Sequence, residues 1–398
     1  MCKEFCALYS IYTKKDFKIS FSLEDIKEKI CNFTDGENET YSKILALSSA
    51  ILSINPKFPD NKEKSFDEKA FAIAGEKKIA GKREFYGQRK LIHPFKENDE
   101  PEYWNFIKRQ REIYLDKFAI WTPILSQNDL PLNSFFLQFQ FTLAKPFISC
   151  DDESYYIIEN PVRKDKVFKV PMMSPAGWKG NLRWVATRQA VLECKQNKDS
   201  EKFAEKRFRL TLLFGDEKGE GENKALAKYL DDICKDAAKL YRQKVKEYFQ
   251  SDNENLPNHK GRLYFYSTFF NQIDLEVINP HDRKTRAGIK PIYFEVVPDG
   301  AEGYFSLLWF PFDCIVKGTN FMEQMQKDWK ILEQALREMF LTYGFSAKKT
   351  SGYGVIKNEI KEAKFLIGGT NLKIDSGDTN FDTFFEEIET KIGEVKNG

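Results

Sequence analysis

Four stretches hold residues whose types and spacing could do chemistry. In "PMMSPAGWKGNLRW", residues 171–184, Ser174 can cap a helix and Pro175 suits its first position. Gly177 and Gly180 then fall in the first turns, where each glycine costs about 1 kcal/mol relative to alanine. A helix N-terminus carries partial positive charge and free N–H donors. Lys179 and Arg183 add full charges, so the glycines could be clearance for a phosphate. They could equally allow close packing against a strand, with the cations merely solvated. Residues 160–192 carry seven cations, Arg163, Lys164, Lys166, Lys169, Lys179, Arg183 and Arg188, against Asp165 alone.

The second stretch, "GFSAKKTSGYG" (344–354), places Lys348, Lys349, Thr350 and Ser351 between Gly344 and the Gly352-Tyr353-Gly354 triplet. Backbone N–H groups of such a loop can cradle phosphate oxygens, although Gly344 also suits a helix terminator. The Gly-x4-Gly-Lys-Ser/Thr order of a nucleotide hydrolase is absent. The third stretch, "NPHDRKTRAGIKP" (279–291), is a basic loop with His281, Arg283, Lys284, Arg286 and Lys290. The fourth, 149–165, clusters Asp151, Asp152 and Glu153 and puts Glu159 before Asn160-Pro161. Carboxylates of this kind can hold a divalent ion or act as bases, but their spacing fixes no metal.

The elements that must position these residues begin at 135. "FFLQFQFTL" alternates, which predicts a half-buried strand with Gln138, Gln140 and Thr142 on the open face. A helix is expected from about Ser174 to Leu192. Two further strands lie in 261–270 and 304–312, a long helix with one apolar stripe in 320–343, and a fourth strand after Gly354. Residues 216–259 are charged and helix-like, an insertion. Without it the order is strand, helix, strand, strand, helix, strand, a split βαβ or ferredoxin-like α+β pattern shared by many RNA-binding domains. The expected organisation is an N-terminal accessory region, 1–133, mostly helical; a core domain, 134–367; and an acidic, peripheral tail, 368–398.

The composition narrows the function. The 398 residues are 41% hydrophobic, with 35 phenylalanines, so a large core is possible. A net charge of +2 excludes a uniformly basic nucleic-acid binder, so polyanion binding must come from local clusters. Seven cysteines show neither a disulfide framework nor a second ligand pair for zinc, and no metal site is expected. No stretch has the form of a signal peptide or a membrane span, so a cytoplasmic protein is expected.

Taken in order, the motifs resemble the RAMP superfamily, the repeat-associated backbone subunits of type III CRISPR effector complexes. The resemblance covers roughly 135–360: "ENPV", then "SPAGWKGNLR", "LFG", "GRLYF", "HDRKTR" with "FEVVPDG", and finally "AKKTSGYG". "NPH" at 279–281 is similar to the terminal backbone subunit of subtype III-B. The resemblance implies an RNA-binding scaffold whose partners are guide RNA, target RNA, neighbouring RAMP-type subunits and a large signalling subunit, with no membrane. It implies that Lys179, Arg183, Lys348 and Lys349 contact guide-RNA phosphates and that Gly352, Tyr353 and Gly354 shape the loop. Arg163, Lys164, Ser174, Gly177, Gly180, His281, Arg283, Arg286, Thr350 and Ser351 complete the candidate RNA-binding set. Cleaving members use an aspartate in the loop before the helix; Glu159 occupies the matching position here. The alternative function is thus a Mg²⁺-dependent endoribonuclease acting through Glu159, and a second alternative is a nucleotide-binding enzyme using the 344–354 loop. RNA binding itself requires no cofactor.

Overall fold

The computed structural model describes residues 76–79, 82–85, 101–150, 160–216, 225–250, 259–280, 284, 285, 288, 292–318 and 320–394. The chain is α+β and divides into two compact units. One comprises Ala119–Lys145, Met173–Phe269 and Glu302–Gly398; the other comprises Met1–Phe118, Pro146–Met172 and Phe270–Ala301.

The first of these is built on a five-stranded antiparallel sheet. In chain order its main elements are β1 (Phe135–Leu143), α1 (Pro175–Asn197), α2 (Ser200–Phe214), α3 (Ala225–Ile233), α4 (Lys235–Phe249), β2 (Leu263–Phe265), β3 (Glu302–Trp309), α5 (Phe312–Lys317), α6 (Phe321–Glu338), β4 (Ile356–Ile367), β5 (Lys373–Asn380) and α7 (Phe381–Glu394). The sheet order is β5-β4-β1-β3-β2. β1 is central: Phe139 lies opposite Phe305 of β3, and Phe365 of β4 opposite Leu137. Alternation along β1 sends Phe135, Phe139 and Phe141 into one aromatic core. There Phe139 meets the rings of Phe305, Phe340, Phe381 and Phe385 at centroid distances of 5.4–6.5 Å.

The other face of β1 is covered at Gln138, where the alternation predicts an open face. Gln138 is buried, and its amide donates to the Pro123 carbonyl (2.9 Å) and the Ser306 hydroxyl (3.0 Å). Phe136 packs with Leu130, Leu366, Leu125, Tyr266 and Leu308 in a second, smaller cluster. Residues 119–133, expected to be part of an accessory region, therefore cover the sheet. A covered face needs its polar groups paired, and the two bonds of Gln138 supply that.

The acidic tail is also not peripheral. Residues from 368 onward form edge strand β5 and helix α7, which buries Phe381, Phe384, Phe385, Ile388 and Ile392 completely or nearly so. Its acids occupy the outer face, where Asp382 pairs with Arg337 of α6. A single apolar stripe at spacings of 3 and 4 outweighs the net charge of the segment. Within the stretch expected to be an insertion, α3 and α4 form helices. α4 packs on α2 through Tyr241, whose hydroxyl is 2.9 Å from that of Thr211.

In the second unit, the helix Glu102–Gln110 buries Tyr103 and Ile107, and the Trp104 indole donates to the Ile273 carbonyl (2.7 Å). Asp274–Ile278 and Ile292–Val296 pair antiparallel. They form a hairpin that carries the basic stretch 279–291 between its arms. Backbone pairing also joins Glu76–Ile79 to Lys82–Phe85.

Phe385 stacks on Phe381 with centroids 4.3 Å apart and on Trp329 at 5.6 Å. Phe385→Ala should therefore lower unfolding stability by about 3–5 kcal/mol, measured by urea denaturation. A loss below about 1 kcal/mol would mean that the tail is not part of the core.

Candidate nucleic-acid interface

Helix α1 starts as the sequence predicts. Ser174 is extended and its hydroxyl accepts the Gly177 N–H at 3.2 Å, with Pro175 at the first position. No acid lies in the first turn, so nothing in the helix itself answers its positive end. Trp178, wholly buried, fixes the rotation of the helix. Its indole N–H donates to the Thr268 hydroxyl (3.0 Å), and its ring meets Phe345 at 4.6 Å and Phe305 at 5.1 Å. Leu182, Val185 and Gln189 follow on the same buried face.

That rotation separates the two glycines. A Cβ on Gly177 would sit 2.9 Å from the Met173 sulfur and methyl, so this glycine serves close packing. A Cβ on Gly180 would meet nothing within 4 Å. Gly180 instead lies in the wall of an open cleft of about 790 Å³, together with Lys179, Arg183, Trp184, Arg188 and Lys195. Packing does not explain its missing side chain.

The glycine loop reaches the same place. Lys349 sets its ammonium 4.4 Å from the centre of the Trp184 ring, and burial there pushes the amine below the ordinary lysine range. The Arg188 guanidinium lies 5.6 Å from Trp184 and 5.3 Å from Tyr343, and its Nε donates to the Tyr343 hydroxyl at 3.2 Å. Tyr343 meets Trp184 edge to face at 5.4 Å. Cations over aromatic faces are worth about 0.5–1 kcal/mol each when exposed. Together they join α1 to the chain around the glycine loop, Trp184 to Lys349 and Arg188 to Tyr343.

Two glycines of the loop are required by geometry. Gly344 (φ 73°) and Gly354 (φ 73°) adopt left-handed backbone. Their Cβ atoms would strike the Tyr353 carbonyl oxygen at 2.2 Å and the Ser346 Cβ at 2.5 Å. The Phe345 N–H donates to the Gly354 carbonyl (3.1 Å), closing the loop at its neck. Between these points Lys349–Ser351 form one short 3-10 turn, with Lys348 itself left-handed (φ 58°). Lys348, Thr350 and Ser351 are exposed, Gly352 and Tyr353 half-buried.

Other candidates stand elsewhere. Arg163 and Lys164 belong to the second unit. Lys164 pairs with fully buried Glu295, whose carboxylate also accepts the Val162 N–H (3.1 Å), so its charge is already used inside the fold. Arg163 is exposed. Arg183 lines the cleft while donating to the Asp216 carbonyl at 2.6 Å. Glu159, the carboxylates Asp151, Asp152 and Glu153, and the loop residues His281, Arg283 and Arg286 lie outside the described residues. Among the described residues no group of three or more His, Cys, Asp or Glu is placed to hold a metal ion. No described helix is long and apolar enough to cross a membrane.

Sequence reasoning missed Trp184, Tyr343 and Lys195 as site residues and left Arg188 as one cation among seven. The signal was present: Ala176, Lys179, Gly180, Arg183, Trp184, Thr187, Arg188, Val191 and Lys195 recur at helical spacings along one face. The different roles of the glycines make a direct test. Gly180→Ala should leave the fold intact and raise helix stability by up to about 1 kcal/mol, whereas Gly177→Ala should gain less or lose stability against Met173. Thermal unfolding of the two variants measures this; equal effects would refute the division.

The profile of the RAMP superfamily matches residues 156–357. No curated protein matches the chain. Among solved structures, a chain of the type III-B Cmr-beta complex bound to cognate target RNA is similar at 12% identity and a TM-score of 0.36, over 86% of this chain and 99% of that one. Csm3 from Methanopyrus kandleri is similar at 13% identity and a TM-score of 0.38, over 66% and 97%. A chain of a CRISPR RNA-guided surveillance complex, pre-nicking, is similar at 10% identity and a TM-score of 0.35, over 58% and 75%. The matched segment takes in both α1 and the glycine loop and exceeds half of the sequence: the chain belongs to the RAMP superfamily.

Proposed function

We propose that this protein is an RNA-binding scaffold subunit of a type III CRISPR ribonucleoprotein effector, clasping the phosphates of guide RNA for recognition of invader RNA. The carrying observation is the meeting of Lys349 with Trp184, which brings a cation of the glycine loop to the aromatic wall of the basic cleft on α1. The cations there contrast with a net charge of only +2 for the whole chain, which is the pattern of a local polyanion site. Membership of the RAMP superfamily supports the CRISPR assignment. The order β4-β1-β3-β2, with α1 and α6 in the two crossovers, supports a ferredoxin-like reading of the core. The partners that follow are guide RNA, target RNA, neighbouring RAMP-type subunits and the large signalling subunit. Clasping phosphates needs no metal. Mg²⁺ would enter only with cleavage through Glu159.

Three outcomes follow. The chain expressed with a repeat array and its partner subunits should carry small RNAs that share a constant repeat-derived end. Lys179→Glu combined with Lys349→Glu should lose that RNA while the fold survives, and each lost phosphate contact should flatten the salt dependence of binding by about 0.7 in log–log slope. Protein that purifies free of RNA under these conditions would count against the proposal. The third outcome concerns pH. The folded-state amine of Lys349 is lowered, so its charge is lost on the alkaline side before that of an ordinary lysine. Phosphate binding needs the charged form, so affinity should fall with rising pH in that window. Arg stays protonated, so Lys349→Arg should abolish the fall; an unchanged pH profile would remove Lys349 from the contact.

A further inference from the structure

The cleft has a second wall that the phosphate reading leaves unused. Helix α3 presents Leu226 and Tyr229 to it, three residues apart on one face, while Ala227 and Leu230 are buried beneath. Tyr229 is 49% exposed, and Trp184 and Leu192 on the facing helix are each 42% exposed. Single exposed apolar side chains are ordinary. Three of them converging on one cleft with four cations are not. Trp184 is already engaged by Lys349, Arg188 and Tyr343. No ring, cation or hydrogen-bond partner among the described residues engages Tyr229.

Cations on one wall and an open aromatic face on the other are the two parts of a single-strand site, phosphates on the first and bases stacked on the second. The cleft volume of about 790 Å³ suits a ligand of small-molecule size, which a nucleotide is and a duplex is not. We infer that Tyr229 is a stacking platform for one unpaired nucleobase of the RNA whose phosphates lie on Lys179 and Arg183. This inference rests on the RNA reading of the cleft. It gives the helical insertion a role in binding and makes the cleft selective for unpaired over duplex RNA without selecting a base.

The test uses the full chain and a short single-stranded RNA with 2-aminopurine placed at each position in turn. Wild type and Tyr229→Phe should quench the fluorophore at one position. Tyr229→Ala should lose that quenching and bind roughly 5- to 150-fold more weakly. An abasic site at that position should erase the difference between wild type and Tyr229→Ala. Tyr229 is half-exposed, so the Ala variant should keep the wild-type thermal unfolding profile. If Tyr229→Ala binds and quenches like wild type while Lys179→Glu loses the RNA, the stacking role is overturned and the phosphate reading stands. If wild type binds no RNA, both fall.

Discussion

Trp178 ties together the three parts on which the site depends. Its ring is wedged against Phe141 of β1, Phe305 of β3 and Phe345 at the neck of the glycine loop, and its indole N–H is held by Thr268. A buried indole N–H without a partner would be costly, so this bond fixes one rotation of α1. The helical period then sends Lys179, Gly180, Arg183 and Trp184 outward. Lys349 can reach Trp184 because Phe345, four residues earlier, is packed on Trp178. The site is thus a surface consequence of one core aromatic.

The charges divide by how they are satisfied. Lys164 is answered by buried Glu295, and Arg262 by Asp313 (2.5 Å) and Asp328 (2.7 Å), so neither is available to a ligand. Such pairs meet the demand that a buried charge be compensated. At Trp184 two cations face an aromatic ring instead, Arg188 in the cleft and Lys349 of the glycine loop. A ring orders a cation without neutralising it. Counting basic residues along 160–192 cannot distinguish the two cases. Their partners, Glu295 and Trp184 among them, are set by tertiary contacts.

The start of α1, the central strand and the glycine loop were legible because capping, alternation and glycine clustering are local signals. Gly180 and Gly177 looked alike in sequence, and only the packing of Met173 separates them. The burial of Gln138 was illegible for the same reason, since residues 119–133 cover it from a distance. The tail was misread for another reason. Seven acids in 368–398 mask Phe381, Phe384, Phe385, Ile388 and Ile392, whose spacing is itself a helical stripe. The hairpin around 279–291 was hidden because charge dominates the segment between its short arms.

The central claim is that α1 and the glycine loop, joined at Trp184, form one RNA-binding surface. Ultraviolet cross-linking of the RNA-bound protein, followed by peptide mass spectrometry, tests it most directly. The account predicts cross-links to the same RNA in peptides from both 175–197 and 345–354, with Trp184 among the linked residues. Cross-links confined to other segments, with both of these clean, would contradict it.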